Sequence, residues 1–86
     1  MDVELVPAAT LGSEELAALF TAVYAGYWHP IALDADAFER MVATNDLDLA
    51  ASRVAMTGGR AIGVAVLGVR DRTGWVGGMG VLPERR

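Results

Sequence analysis

Apolar positions follow two different periods along the chain, and the change of period separates a helical first half from a strand-forming second half. In residues 13–27 the apolar side chains recur every three or four positions, which places them on one face of a helix. They are Leu16, Leu19, Phe20, Val23, Tyr24 and Tyr27. The spacing predicts an amphipathic helix over residues 13–27, with Tyr24 in the core. Ser13 is the predicted N-cap, since acids follow it in the first turn.

A shorter apolar stripe predicts a second helix that begins at Asp34 and fades near Asn45. The Asp34 carboxylate can accept hydrogen bonds from the free amides at the helix start. Leu33 and Phe38 have the spacing of a hydrophobic staple across that start. The predicted buried side of this helix consists of Phe38, Met41 and Val42.

Short apolar runs bounded by turn residues predict the strands, at residues 3–6, 53–56, 61–69 and 75–82. Gly58 and Gly59 are typical of a two-residue hairpin turn, because glycine adopts positive φ without strain. A second turn is predicted over residues 71–74. The order predicts an α+β fold, with one strand, two helices and then an antiparallel three-strand meander. A chain of 86 residues makes one domain at most.

Three glycines interrupt the last predicted strand, at Gly77, Gly78 and Gly80. Glycine within a strand costs conformational entropy and packs nothing. Such residues indicate a β-bulge, or a place where another backbone or a ligand approaches closely. Pro83 then ends the strand by removing a hydrogen-bond donor.

Composition excludes several classes of protein. Hydrophobic residues make up 53% of the chain, which excludes intrinsic disorder, and the absence of cysteine excludes disulfides and thiolate metal sites. No apolar run reaches the roughly 18 residues of a membrane span, and the N-terminus is acidic where a secretory signal is basic. We therefore expect a cytoplasmic protein without a membrane partner.

Charge is distributed unevenly, with a net charge of −8 over residues 1–48 and +4 over residues 49–86. Two interpretations remain open: two differently solvated faces, or a second half that faces an anionic ligand. A pI near 4.7 without a basic stripe argues against nucleic-acid binding.

The segment 80–86, GVLPERR, resembles the fourth strand and following turn of the GNAT acyltransferase superfamily. In that family a V-x-P-x-x-R/Q segment leads into R/Q-x-x-G-x-G/A, the loop that binds the coenzyme A pyrophosphate. Val81, Pro83 and Arg86 match the first part, and Arg86 would be the first residue of the loop. The element order also fits. The resemblance covers the 86 residues as the N-terminal portion of such a domain, ending where the pyrophosphate loop starts.

The resemblance implies an N-acyltransferase that moves an acetyl group from acetyl-CoA to an amine by direct attack, without a metal. It assigns donor binding to the last strand and the turn, at Met79, Gly80, Val81 and Arg86. It assigns the border of the acceptor site to Tyr27 and Trp28. Missing side chains at Gly78 and Gly80 would admit the pantetheine arm.

The resemblance leaves the catalytic acid and base unassigned. The carboxylate that some members carry on strand four is absent here, and the tyrosine that others carry follows a fifth strand. Asp46 and Asp48 are either water-mediated bases or a solvated pair at a helix end, and the latter interpretation is favoured. His29 is favoured as an ordinary loop residue over a general base.

Two expectations concern the chain by itself. Without the loop and a fifth strand it should lack acyltransferase activity. Its last strand would be an apolar edge, so we also expect self-association. The alternative function is a non-catalytic α+β binding module that takes up a partner strand along this edge.

Overall fold

Two helices cover one face of a four-stranded antiparallel sheet, in a computed structural model that describes residues 2–26 and 31–85. The strands lie in chain order, β1-β2-β3-β4. The predicted α+β fold, with one strand, two helices and a three-strand meander, is confirmed. The elements are β1 (Glu4–Pro7), α1 (Ser13–Val23), α2 (Ala35–Thr44), β2 (Leu47–Thr57), β3 (Arg60–Arg70) and β4 (Thr73–Val81), with short 3-10 turns at Ala8–Thr10 and Pro83–Arg85.

Helix α1 differs from its prediction at both ends. Its N-cap is Gly12, so the prediction of Ser13 is wrong by one position. The reason is that the Glu15 carboxylate accepts a hydrogen bond from the Gly12 N–H at 3.2 Å, which moves the cap one residue back. The helix ends at Val23 rather than at residue 27, and Gly26 adopts the left-handed region at φ 81°. Tyr27 lies outside the described residues.

Helix α2 begins as predicted, with Asp34 as its N-cap. The Ala37 N–H donates to Asp34 Oδ1 at 2.7 Å. The hydroxyl of Thr21 in α1 fixes the chain just before this cap. It accepts a hydrogen bond from the Leu33 N–H at 2.9 Å and donates one to the Leu33 carbonyl at 3.3 Å. The start of α2 is therefore attached to the middle of α1.

Strand β2 begins at Leu47, six residues before its predicted start. Aspartate is depleted in strands, so the sequence around Asp48 indicated a helix end. Pairing with β3 overrides that preference, since Leu47 lies opposite Gly68 and Asp48 opposite Leu67. The prediction that Asp46 and Asp48 form a pair at a helix end is therefore wrong for Asp48, which lies in β2.

An irregularity in the ladder between Asp48 and Arg53 is spanned by a buried serine. The Ser52 hydroxyl donates to the Asp48 carbonyl at 2.7 Å and accepts from the Leu67 N–H at 2.9 Å. Ser52 is fully buried. One side chain thus satisfies main-chain groups that the ladder leaves unpaired at this point.

Replacing Ser52 with alanine is expected to lower the free energy of unfolding by about 1–3 kcal/mol, because the Leu67 N–H loses its partner in a buried place. Urea denaturation measures the loss. The matched control is Ser13→Ala, whose hydroxyl does not cap α1 and whose effect should stay within about 0.5 kcal/mol. Equal effects of the two substitutions would contradict the role assigned to Ser52.

The core lies between the helices and the covered sheet face. Phe20 and Phe38 meet at its centre, with ring centroids 5.7 Å apart. The buried apolar residues are Ala8, Leu16, Ala17, Leu19, Phe20, Val23, Phe38, Leu47, Val54, Ile62, Val64, Val66 and Leu82. The turn predicted at Gly58 and Gly59 is confirmed, with φ of 55° and 79°. The turn after β3 is shorter than predicted, since β4 already begins at Thr73.

Candidate functional site

β4 has a free edge within the described residues, since no other strand there pairs with its outer side, and main-chain hydrogen-bonding groups of two residues point outward along it. The Leu82 N–H donates to the Ile62 carbonyl at 2.8 Å, so the main chain of Leu82 faces β3. Main-chain groups in a strand alternate in direction, and therefore Gly80 also faces β3 while Met79 and Val81 face away from it. β4 lies at the end of the sheet order. Met79 and Val81 thus direct an N–H and a C=O each away from the sheet.

A β-bulge at Gly77 separates this part of β4 from its first half. Val66 lies opposite Gly78 and Leu67 lies opposite Val76, which leaves Gly77 as the extra residue. The bulge predicted from the glycines is confirmed. A Cβ at Gly77 would lie 2.7 Å from Leu47 Cδ2, so the core also disfavours a side chain there.

Gly78 faces α1. A Cβ at this position would lie 3.0 Å from Phe20 Cε1 and 3.3 Å from Tyr24 Oη. The close approach that the glycine indicated is thus made by two aromatic side chains, one in α1 and one at its C-cap. The expectation that Gly78 lacks a side chain to admit a pantetheine arm is corrected on this point, because the helix already fills that space.

Tyr24 has a role at the β4 edge that its place on the apolar stripe did not reveal. Its ring is half-buried and stacks on Phe20 with centroids 5.8 Å apart. Its hydroxyl accepts from the Met79 N–H at 3.1 Å and lies 3.4 Å from the Met79 carbonyl. A partial signal was present in the sequence, since tyrosine at the end of an apolar stripe can bury its ring while its hydroxyl reaches a polar group.

The sheet face opposite the helices is open and mostly apolar, although Arg53 lies on it. Residues in register share a face, and two rows cross all four strands on this side. The rows are Leu5, Ala55, Gly63, Val81 and Pro7, Arg53, Ala65, Met79. Leu5 and Met79 are exposed by 66% and 63%, although both are large apolar side chains. The small residues between them form the floor of a groove of about 370 Å³.

Three of the six predicted binding residues lie together in the structure, and the other three lie outside the described residues. Met79, Gly80 and Val81 are consecutive in the second half of β4. The predicted roles of Tyr27, Trp28 and Arg86 fall on residues outside the described part of the chain, as does that of His29. Donor binding by Met79, Gly80 and Val81 stays a prediction.

The two aspartates weighed as water-mediated bases serve structural contacts. Asp46 adopts φ 49° and its carboxylate pairs with Arg70 at the start of the turn into β4. The Asp48 carboxylate accepts from the Ala51 N–H at 3.1 Å. Both side chains are exposed, which fits the solvated interpretation.

Charged residues gather where β4 ends. Arg60 and Glu84 form an ion pair at 2.6 Å, with both side chains largely exposed. A main-chain hydrogen bond at Glu84, followed by the Arg60 contact, lowers the pKa of the Glu84 carboxyl. Glu84 therefore stays ionised to a lower pH than an ordinary glutamate, and the pair is lost only as the pH falls through that lowered pKa.

A larger surface depression lies at the other edge of the sheet. It has a volume of about 780 Å³ and is lined by residues of β1, α1 and the β2–β3 turn, among them Asp2, Glu4 and Glu15. Because β1 and β4 are at opposite ends of the sheet order, this depression is separate from the β4 site.

Two other kinds of feature are absent from the described residues. Within residues 2–26 and 31–85, no three histidine, cysteine or acidic side chains are grouped so that they could hold a metal ion. No helix in those ranges has the length and apolar character needed to cross a membrane.

Comparison of the chain with models of protein families, with curated proteins and with solved structures finds no match. The resemblance to the GNAT superfamily therefore stays a prediction, supported by the residues of segment 80–86 and by the element order.

Proposed function

We propose that this chain supplies the donor-binding strand of an acyl-CoA-dependent N-acyltransferase, which moves an acetyl group from acetyl-CoA to an amine. The observation that carries this proposal is the free β4 edge beyond the Gly77 bulge, where the main chains of Met79 and Val81 face away from β3. The GVLPERR segment that follows is the sequence feature that favours coenzyme A over other extended ligands.

The spacing of these main-chain groups suits an extended amide chain. Two residues of a strand span about 6.6 Å, and an extended ligand can pair with such an edge as an additional strand. The pantetheine arm of coenzyme A is an extended chain with two amides. Main-chain recognition requires no particular side chain, which fits the exposed Met79 and Val81 side chains that point to the open face instead.

An N–H group at the β4 edge can donate a hydrogen bond to the carbonyl oxygen of a thioester. Bound acetyl-CoA would supply the thioester, whose carbonyl carbon forms a bond to the amine nitrogen while the bond to sulfur breaks. The products are an amide and coenzyme A, whose thiol carries the proton that the nitrogen loses. Negative charge develops on the carbonyl oxygen during this attack, and one aligned N–H donor is worth about 2.7–4 kcal/mol to the transition state. We assign that donor to the β4 edge. β4 carries no carboxylate, so no residue of this strand is assigned as the base.

The test removes one edge N–H without removing a ladder hydrogen bond. In Val81→Pro the lost N–H is one that faces away from β3, and proline is tolerated where a strand's N–H faces outward. The matched control, Val81→Ala, changes the same side chain and keeps the N–H. Isothermal titration calorimetry with acetyl-CoA should show weaker binding by Val81→Pro than by Val81→Ala, by about 2- to 10-fold.

Two results would contradict the proposal. Absence of acetyl-CoA binding by the unaltered chain would remove the donor site altogether. Equal affinities of the two variants, with equal thermal stability by circular dichroism, would show that the Val81 N–H does not contact the donor.

A second candidate function is favoured by a different observation, the open apolar face together with the free β4 edge. We propose that two copies of the chain associate through β4, as a binding module would. β4 has no charged residue from Thr73 to Val81, so two copies meet without like-charge repulsion along it despite a net charge of −4. An antiparallel pairing of the two β4 strands would also join the two open faces.

A further inference from the structure

We propose that the Tyr24 hydroxyl is a latch on the β4 edge, which holds the Met79 main chain until an extended amide ligand displaces it. The inference rests on the proposed function, because the ligand against which the latch acts is coenzyme A. It adds a regulatory contact inside the donor site, formed by Tyr24, the residue that caps the C-terminal end of α1.

The contact occupies the groups that a donor would use. The hydroxyl accepts from the Met79 N–H at 3.1 Å and lies within 3.4 Å of the Met79 carbonyl, which it can reach as a donor. A main-chain N–H carries a single hydrogen, so the carbonyl of a ligand must compete with Tyr24 for it. The 3.1 Å hydrogen bond from the Met79 N–H to Tyr24 is therefore the contact that competes with ligand binding.

Neighbouring residues make the contact possible. The Tyr24 ring stacks on Phe20 at an interplanar angle of 24°, and Phe20 itself is buried, which fixes the direction of the tyrosine. Gly78 leaves room for both rings beside β4, since a Cβ there would lie 3.3 Å from Tyr24 Oη. The glycine thus allows Tyr24, which lies 55 positions before Met79 in the chain, to reach the strand edge.

The latch also accounts for how an apolar edge strand is protected in the free protein. Unpaired N–H and C=O groups at a sheet edge favour pairing with another chain, and native proteins commonly block such groups. Tyr24 satisfies both groups of Met79 without adding a charge or a bulky element. A side-chain hydroxyl can be displaced, whereas a neighbouring strand could not be removed so readily.

The experiment compares Tyr24→Phe with Thr21→Val. Each substitution removes a hydroxyl that accepts from one N–H and approaches the carbonyl of the same residue, at Met79 for Tyr24 and at Leu33 for Thr21. Amide hydrogen exchange by NMR reports the Met79 N–H in the free protein, with the Gly80 N–H, which faces β3, as an internal reference. Calorimetry with acetyl-CoA at low protein concentration reports binding.

We expect Tyr24→Phe to accelerate exchange of the Met79 N–H and to tighten acetyl-CoA binding, each by about 2- to 10-fold, the range that one hydrogen bond supports. Thr21→Val should change neither the Met79 exchange rate nor the affinity. Unchanged exchange at Met79 in Tyr24→Phe would overturn the latch.

The remaining outcomes separate this inference from the proposed function. Binding of acetyl-CoA with equal affinity by the unaltered chain and by Tyr24→Phe overturns the latch and leaves the donor site standing. Binding by neither protein overturns the donor site, and with it the latch as a control on that site, whatever the exchange rates show.

Discussion

Replacing Phe38 with alanine is expected to lower the free energy of unfolding by about 3–5 kcal/mol, the range for a buried phenylalanine. Phe38 is fully buried, and its ring meets that of Phe20 between the helices. A chain of 86 residues has a total stability of about 4–13 kcal/mol. One substitution therefore removes a large share of the stability, and at the lower end of that range it unfolds the protein.

Urea denaturation followed by circular dichroism measures this loss. The matched control is Val76→Ala, which also truncates an apolar side chain but at a position exposed by 58%. Its effect should stay within about 0.5 kcal/mol. A loss below about 1.5 kcal/mol for Phe38→Ala would contradict the tight packing of Phe38 between the helices and the sheet.

The second large effect concerns association of the chain with itself. Met79 is exposed by 63% on the open face and its main chain lies on the free edge of β4, so a lysine there places a charge where two β4 strands would meet. We expect the unaltered chain to form dimers or larger species as its concentration rises. Met79→Lys should shift the chain to monomers over the same concentration series, measured by multi-angle light scattering.

Leu5→Lys is the control that separates the edge from the face. Leu5 is exposed by 66% on the same open face but lies in β1, at the other end of the sheet. Association that persists in Leu5→Lys and is lost in Met79→Lys locates the contact at β4. A monomer at every concentration in the unaltered chain would refute self-association, and equal loss in both variants would locate the contact on the open face instead of the β4 edge.

Donor binding and dimerisation would compete for the same edge of β4. Both use the outward main-chain groups of Met79 and Val81, and Tyr24 holds one of these two residues. Acetyl-CoA should therefore reduce self-association if both proposals hold. The Tyr24 contact matters for either function, because any ligand that pairs along β4 meets the same hydroxyl.

The sequence by itself determined the features that depend on near neighbours. The α1 stripe predicted the burial of Leu16, Phe20 and Val23, because a helix repeats every 3.6 residues. Asp34 was predicted as a cap because its carboxylate reaches an amide three residues on, as it does at Ala37. The glycines at 58–59 predicted their turn because positive φ is a property of the residue itself.

Only the tertiary structure decided the features that depend on distant partners. β2 begins at Leu47 because β3 pairs with it there, against the local preference of two aspartates. The role of Gly78 follows from Phe20 and Tyr24, which lie more than fifty residues away in the chain. The same holds for the Tyr24 hydroxyl at Met79, since periodicity assigns a residue to a face of its helix but does not say which strand edge that face meets.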